Sequence, residues 1–267
     1  MCGEFVLCAR LRPSNIDGAK GSVAEVERIV EQIRQAWPQV RIILRGDSGF
    51  CRDELLSWCE AHGVDYVVGL AQNARLLREI VAASAQAESQ FQQTGKAVRV
   101  FTEFVYQTRN SWSRARRVIA KAEHLEKGAN PRYVVTSLSA QETTFPAPSR
   151  WGAKSLYEEL YCARGDMENR LKEQMMLFAD RTSTSWLRSN QIRLYFSTVA
   201  YQLMQALRRL HDLGSWQETL TEVTNQHLAP ADVFRIIARR RDDNLVRELF
   251  HQSVRLQDLA KMLLCVQ

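Results

Sequence analysis

The chain has 267 residues, 45% of them hydrophobic and 25% charged, a composition that suits a folded protein with a sizeable core and excludes a disordered one. Its net charge of +6 and pI near 9.1 favour an anionic partner without naming one. Cys2, Cys8, Cys51, Cys59, Cys162 and Cys265 form no C-x-x-C pair and no zinc spacing, so they read as reduced small hydrophobes of a cytoplasmic protein. No signal-peptide pattern opens the chain, and no apolar run nears the roughly 18 residues of a membrane span.

Residues from Glu4 to Arg12 suit a strand, ended by Pro13-Ser14-Asn15. Ser22 caps a helix in which Val23, Val26, Ile29, Val30 and Ile33 recur at helical spacing until Pro38. Val40 to Arg45 reads as a short buried strand, and it runs into the turn Gly46-Asp47-Ser48-Gly49-Phe50. A helix over 52–61 and an apolar strand over 64–70 follow. This alternation is the grammar of an α/β sheet, in which ligands sit beyond the carboxyl ends of strands. Asp47 occupies such an end.

From Gln72 the texture changes. A helix rich in Ala and Gln is expected to about Gln92, then antiparallel strands over 97–109, 111–122 and 132–138, with Gly128-Ala129-Asn130-Pro131 as a turn. The middle strand is basic, with Arg114, Arg116, Arg117 and Lys121. Two long helices are expected over 152–179 and 187–213, the second with Ile192, Phe196, Val199, Leu203, Ala206, Leu207 and Leu210 on its apolar face. Beyond Gly214 the chain reads as helical, with basic residues Arg235, Arg239, Arg240 and Arg241.

On a regular helix Tyr161, Arg164 and Glu168 share one face, with Lys172 a turn further on and Asp166 pointing away. Taken alone, such a face is an ordinary solvated one with i,i+4 pairs, and Asp47 an ordinary turn residue. As a set, two separated carboxylates near a sheet end with basic neighbours suit Mg²⁺ ions about 3.5–4 Å apart that act on a phosphodiester, with Arg164 and Lys172 on DNA phosphates.

Whole segments then match in order. Arg45-Gly46-Asp47-Ser48-Gly49-Phe50 and the run from Trp58 to Leu70 resemble the DDE transposases of bacterial insertion sequences, in the branch marked by a Tyr-Arg-Glu-Lys helix. So do Leu11 to Asn15, Gly128 to Arg132, Tyr161 to Gly165 with Glu168-Asn169-Arg170, Ala179 to Ser183, and Asn190 to Leu194. The resemblance runs from about residue 3 to 213.

The resemblance implies an α/β fold with an RNase H-like core, a β-rich insertion and a helical C-terminal part. It implies Asp47 and Glu168 as catalytic, metal-holding carboxylates, with Mg²⁺ in a two-metal site. Tyr161 and Arg164 are expected on transposon-end DNA, with Lys172, Arg114, Arg116 and Arg117 adding contacts and Trp112 stacking on a flipped base. The segments divide as 1–71, a partial catalytic core; 72–150, the insertion; 151–213, core helices carrying the glutamate; and 214–267, a tail unlike the family.

Two departures stand out. The family's lysine falls on Met175, leaving Lys172 as a shorter-reaching substitute. The first catalytic aspartate would precede residue 1 together with the first two core strands, which leaves strand edges without neighbours. The expectation is a truncated, inactive transposase copy that acts on double-stranded DNA, as a homodimer or as a heterodimer with full-length transposase. A non-catalytic DNA-binding remnant that inhibits the full-length enzyme is the alternative, and a product that does not fold is the third reading.

Overall fold

The computed structural model describes residues 1–3, 5–140, 151–177 and 181–211, with backbone alone at 164–166 and 209–211. The chain divides into two compact units, residues 12–169 and residues 1–11 with 170–267. The helical stretch expected over 214–267, with its basic residues near Arg239, lies outside the described residues.

In the unit of residues 12–169, helix α1 spans Ser22–Ala36 and ends before Pro38, which cannot continue it. Strand β1 (Ile43–Gly46) pairs parallel with β2 (Asp65–Leu70), and α2 (Asp53–Ala61) forms the crossover between them. Asn73 caps α3 (Ala74–Glu79) by accepting from the Arg75 and Leu76 amides. Helix α4 (Val81–Thr94) follows and stops at Gly95 in the left-handed conformation. Strands β3 (Val98–Tyr106), β4 (Arg116–Leu125), β5 (Gly128–Ala129) and β6 (Arg132–Thr136) are antiparallel to one another where they pair.

These strands make one sheet in the order β1-β2-β6-β4-β3, with β5 beside β4. Because β6 pairs directly with β2, strands from 98–136 extend the sheet begun by β1 and β2. Alternate residues feed two cores. Tyr66, Val68, Val118, Tyr133 and Val135 pack with Leu55, Leu56, Leu76 and Ile80 on one face. Val67, Ile119 and Val134 pack with Leu138, Leu156 and Tyr157 on the other. Covering both faces explains why these strands read as continuous apolar runs rather than as alternating ones.

In the unit of residues 1–11 and 170–267, the expected opening strand does not form. Cys2 and Phe5 make an isolated bridge, and the backbone beyond is held by a side chain. Gln191 accepts from the Leu11 amide at 2.7 Å and donates to the Ala9 carbonyl at 2.9 Å. The backbone groups that a sheet neighbour would have bonded are met by one glutamine amide instead.

Helix α7 (Leu187–His211) begins where expected. The face expected to be apolar is only partly inward, because Ile192, Val199 and Phe196 are exposed, Phe196 to 71%. The buried side carries Ser197, Thr198, Tyr201 and Gln205. Ser197 donates to the Gln174 carbonyl and Gln174 to Thr198 Oγ1, both at 2.7 Å, which satisfies those buried polar groups.

The helix expected to run unbroken over 152–179 changes type several times: a short α-turn (α5, Ala153–Ser155), a π-helical turn (Leu156–Tyr161), a 3-10 turn (Cys162–Arg164) and then α6 (Gly165–Met176). An even 100° per residue therefore does not hold across Tyr161, Arg164 and Glu168.

Candidate functional site

β1 ends at Gly46, so Asp47 leaves the sheet at the carboxyl end of its strand. Its carboxylate accepts from the Gly49 amide at 2.8 Å and caps the 3-10 turn Ser48–Phe50. A Cβ at residue 49 would stand 3.0 Å from that carboxylate oxygen, so glycine there gives the aspartate its room.

Gly69, near the end of β2, fits the site together. A Cβ on it would lie 2.7 Å from the Tyr161 hydroxyl, 3.0 Å from the Ser48 amide nitrogen and 3.3 Å from the Asp47 carbonyl carbon. The bare backbone of Gly69 thus lets the Asp47 turn and the Tyr161 phenol close on the same point of the sheet. Read as a sequence, Gly69 was one more residue of an apolar strand. A glycine inside a buried strand was the available signal.

The π-helical turn delivers the tyrosines. Arg45 donates to the Leu160 carbonyl at 3.0 Å and ties that turn to β1. Tyr157 packs into the core beside Tyr161, their rings 5.4 Å apart. Burial pushes the Tyr157 phenol up to about 12, so it stays protonated.

Asp47, Gly69, Arg132, Tyr157, Tyr161 and Glu168 all line one cleft of about 470 Å³. The two expected carboxylates, far apart in sequence, line the same cleft beside β1, β2 and β6. Among the described residues no group of three or more His, Cys, Asp or Glu side chains could hold a metal ion. Arg164 closes the 3-10 turn, and its side chain and that of Asp166 lie outside the described residues. Lys172 is exposed on α6 and belongs to the other unit.

The basic stretch expected to meet DNA is used differently. The Arg116 side chain is 2% exposed and pairs with Asp53 at 2.7 Å and Glu60 at 2.8 Å. It also donates to Ser57 and lies over the Trp112 ring, 5.2 Å from its centroid. Arg117 pairs with Glu103 and donates to the Leu138 and Trp151 carbonyls. Arg114 pairs with Glu60 at 2.7 Å and keeps a 59% exposed side chain.

Trp112 precedes β4 rather than lying on it, is buried, and meets Tyr106 edge-on. Its ring is occupied by packing. For Arg114 and Arg116 the cause is α2, which presents Asp53, Ser57 and Glu60 to the start of β4; Arg117 is met by Glu103 on β3 instead.

Burial alone would raise the Glu60 carboxyl, but hydrogen bonds from Arg116 and Tyr66 outweigh it and hold the group below its ordinary value. For Asp53 burial likewise opposes, and the bonds from Arg116 and Ser113 bring it down.

An acid-lined cleft at the carboxyl ends of parallel strands belongs to the α/β proteins that act at strand ends. Residues 1–225 match the family model described as Transposase DDE domain group 1, and the chain belongs to that family. The match continues beyond residue 213, where the sequence resemblance was taken to end. Among curated proteins no match is found. No helix among the described residues is long and apolar enough to cross a membrane.

Proposed function

We propose that the chain works in DNA transposition in the manner of insertion-sequence transposases of the Tyr-Arg-Glu-Lys branch, on an RNase H-like core. The observation that carries this reading is the convergence of Asp47 and Glu168 with Tyr161 on one cleft. DNA contact falls to Tyr161, Arg164, Lys172 and Arg114. Arg116, Arg117 and Trp112 serve the fold, because their polar groups and ring face are already engaged.

Two carboxylates fit a hard cation such as Mg²⁺, which commonly takes one or two of them and completes its shell with water and substrate phosphate. Asp47 and Glu168 would hold it, and the bound ion would activate a nucleophilic water and neutralise charge at the phosphodiester. Asp47 is braced for this by the Gly49 amide. The Tyr161 hydroxyl, set against Gly69, orients the strand.

A two-metal site needs more carboxylate than this pair supplies. The chain alone is therefore read as binding double-stranded DNA without joining strands. It would do so in the cytoplasm, as a homodimer or as a heterodimer with an active transposase, which it would inhibit.

A nicking assay with Mg²⁺ or Mn²⁺ on a plasmid carrying the element's ends tests this, alongside a gel shift. Bound but uncut DNA is expected, with binding that weakens steeply as salt rises. Nicking that Asp47→Ala abolishes would keep the site and sink the inactivity. The absence of both binding and nicking would sink the whole reading.

A further inference from the structure

Arg132, the first residue of β6, lines the same cleft as Asp47, Tyr161 and Glu168. It is exposed, and no carboxylate among the described residues pairs with it. Its place in the sheet makes that isolation costly. Across the antiparallel ladder Arg132 stands opposite Lys121, and like charges in directly opposed positions repel.

Lys121 is neutralised, by Glu123 at 2.6 Å. Glu123 is engaged away from Arg132, because it also accepts from Arg99 at 2.7 Å and Asn130 at 2.8 Å. The corner of the sheet therefore carries one cation beyond its internal pairing. Arg132 shares a face of β6 with Val134, which packs against Tyr157. The surplus charge thus sits on the side of the sheet where the tyrosines stand.

We propose that Arg132 is a phosphate-binding residue of this cleft, taking a backbone phosphate of the DNA strand that passes Asp47 and Glu168. The assignment rests on the DNA-binding reading above. A guanidinium suits the task, since its planar fork matches two phosphate oxygens at once. A merely solvated strand-end arginine would contribute nothing to binding.

The test is fluorescence anisotropy of the full 267-residue chain with a fluorescein-labelled mixed-sequence DNA duplex, titrated at several salt concentrations. Arg132→Gln is expected to weaken binding roughly tenfold. It should also flatten the plot of log affinity against log salt by about one unit, the signature of one lost phosphate contact. Arg132→Lys keeps the charge and should keep the salt slope while losing part of the affinity.

Lys127→Gln, which removes an exposed cation from the turn between β4 and β5, should leave the slope unchanged. Wild-type binding with an unaltered Arg132→Gln titration overturns the assignment and leaves the DNA-binding reading intact. An equal change of slope in Lys127→Gln also overturns it, because the effect would then belong to net charge. If the wild-type chain binds no duplex, the DNA-binding reading fails and takes the assignment with it.

Discussion

Two regions of the unit formed by residues 12–169 are built from the same few residue types and do opposite things. At the start of β4, Arg116 meets Asp53 and Glu60 in the interior, and each charge is matched by another within hydrogen-bond reach. At the ends of β1, β2 and β6, Asp47, Glu168 and Arg132 share a cleft, and all three are exposed. The first arrangement joins α2 to β4. The second leaves charge facing outward, where an external group can complete it. The first, closed set holds the fold, whereas in the second, open toward the cleft, Arg132 meets no carboxylate among the described residues.

If that division is right, the largest effect on stability comes from opening the closed set. Arg116→Met should cost about 3 kcal/mol, because it leaves Asp53 with Ser113 alone and Glu60 with only Tyr66 and the more exposed Arg114. A chemical melt that shifts by less than about 1 kcal/mol would mean the cluster is no more than a surface pair.

Gly69→Ala strikes the open set through its geometry. The added methyl should cost about 1–3 kcal/mol by overpacking. It must also push aside either the Asp47 turn or Tyr161, so DNA affinity should fall further than stability does. Equal affinity for the variant and the parent would show that the close approach at Gly69 does not matter for binding.

A pH series sharpens the contrast. The folded values of Asp53 and Glu60 lie below their ordinary ones. Their contribution is complete above the ordinary glutamate value of 4.5 and is lost as pH falls through the lowered folded values. In Arg116→Met burial still raises both carboxyls while the Arg116 bonds that lowered them are gone, so their folded values rise and less stability is lost on protonation. The gap in stability between parent and variant should narrow on acidification. A gap that widens would contradict the pairing.

The smallest effect is expected from Arg114→Ala. Its side chain is 59% exposed and meets Glu60 at the rim of the cluster, so the loss should stay within about 1 kcal/mol. A larger loss would extend the closed set to the surface.

Much of the core was legible before any coordinates. Apolar runs over 40–45 and 64–70 located β1 and β2, whereas Gly128-Ala129, expected in a turn, form the short strand β5. Asp47 stood out as a candidate through its place at the carboxyl end of a buried strand and the ordered segment matches around it. Such a turn alone more often holds an ordinary turn residue. Less legible were features set by neighbours distant in sequence. The π-helical turn before Tyr161 breaks a pattern that looked regular, and nothing local marks it. The opening residues have strand-like composition yet end on the amide of Gln191, a partner far along the chain.

By itself, the sequence determined the family and the α/β alternation and marked the two carboxylates as candidates, since these rest on local periodicity and on ordered segment matches. Tertiary structure alone decided which arginines are available. Arg116 and Arg132 are indistinguishable as letters, and both begin strands. One faces α2, where Asp53 and Glu60 neutralise it. The other faces a cleft, opposite a lysine whose glutamate is already taken. Pairing depends on distances across the sheet, and a linear pattern carries no record of them.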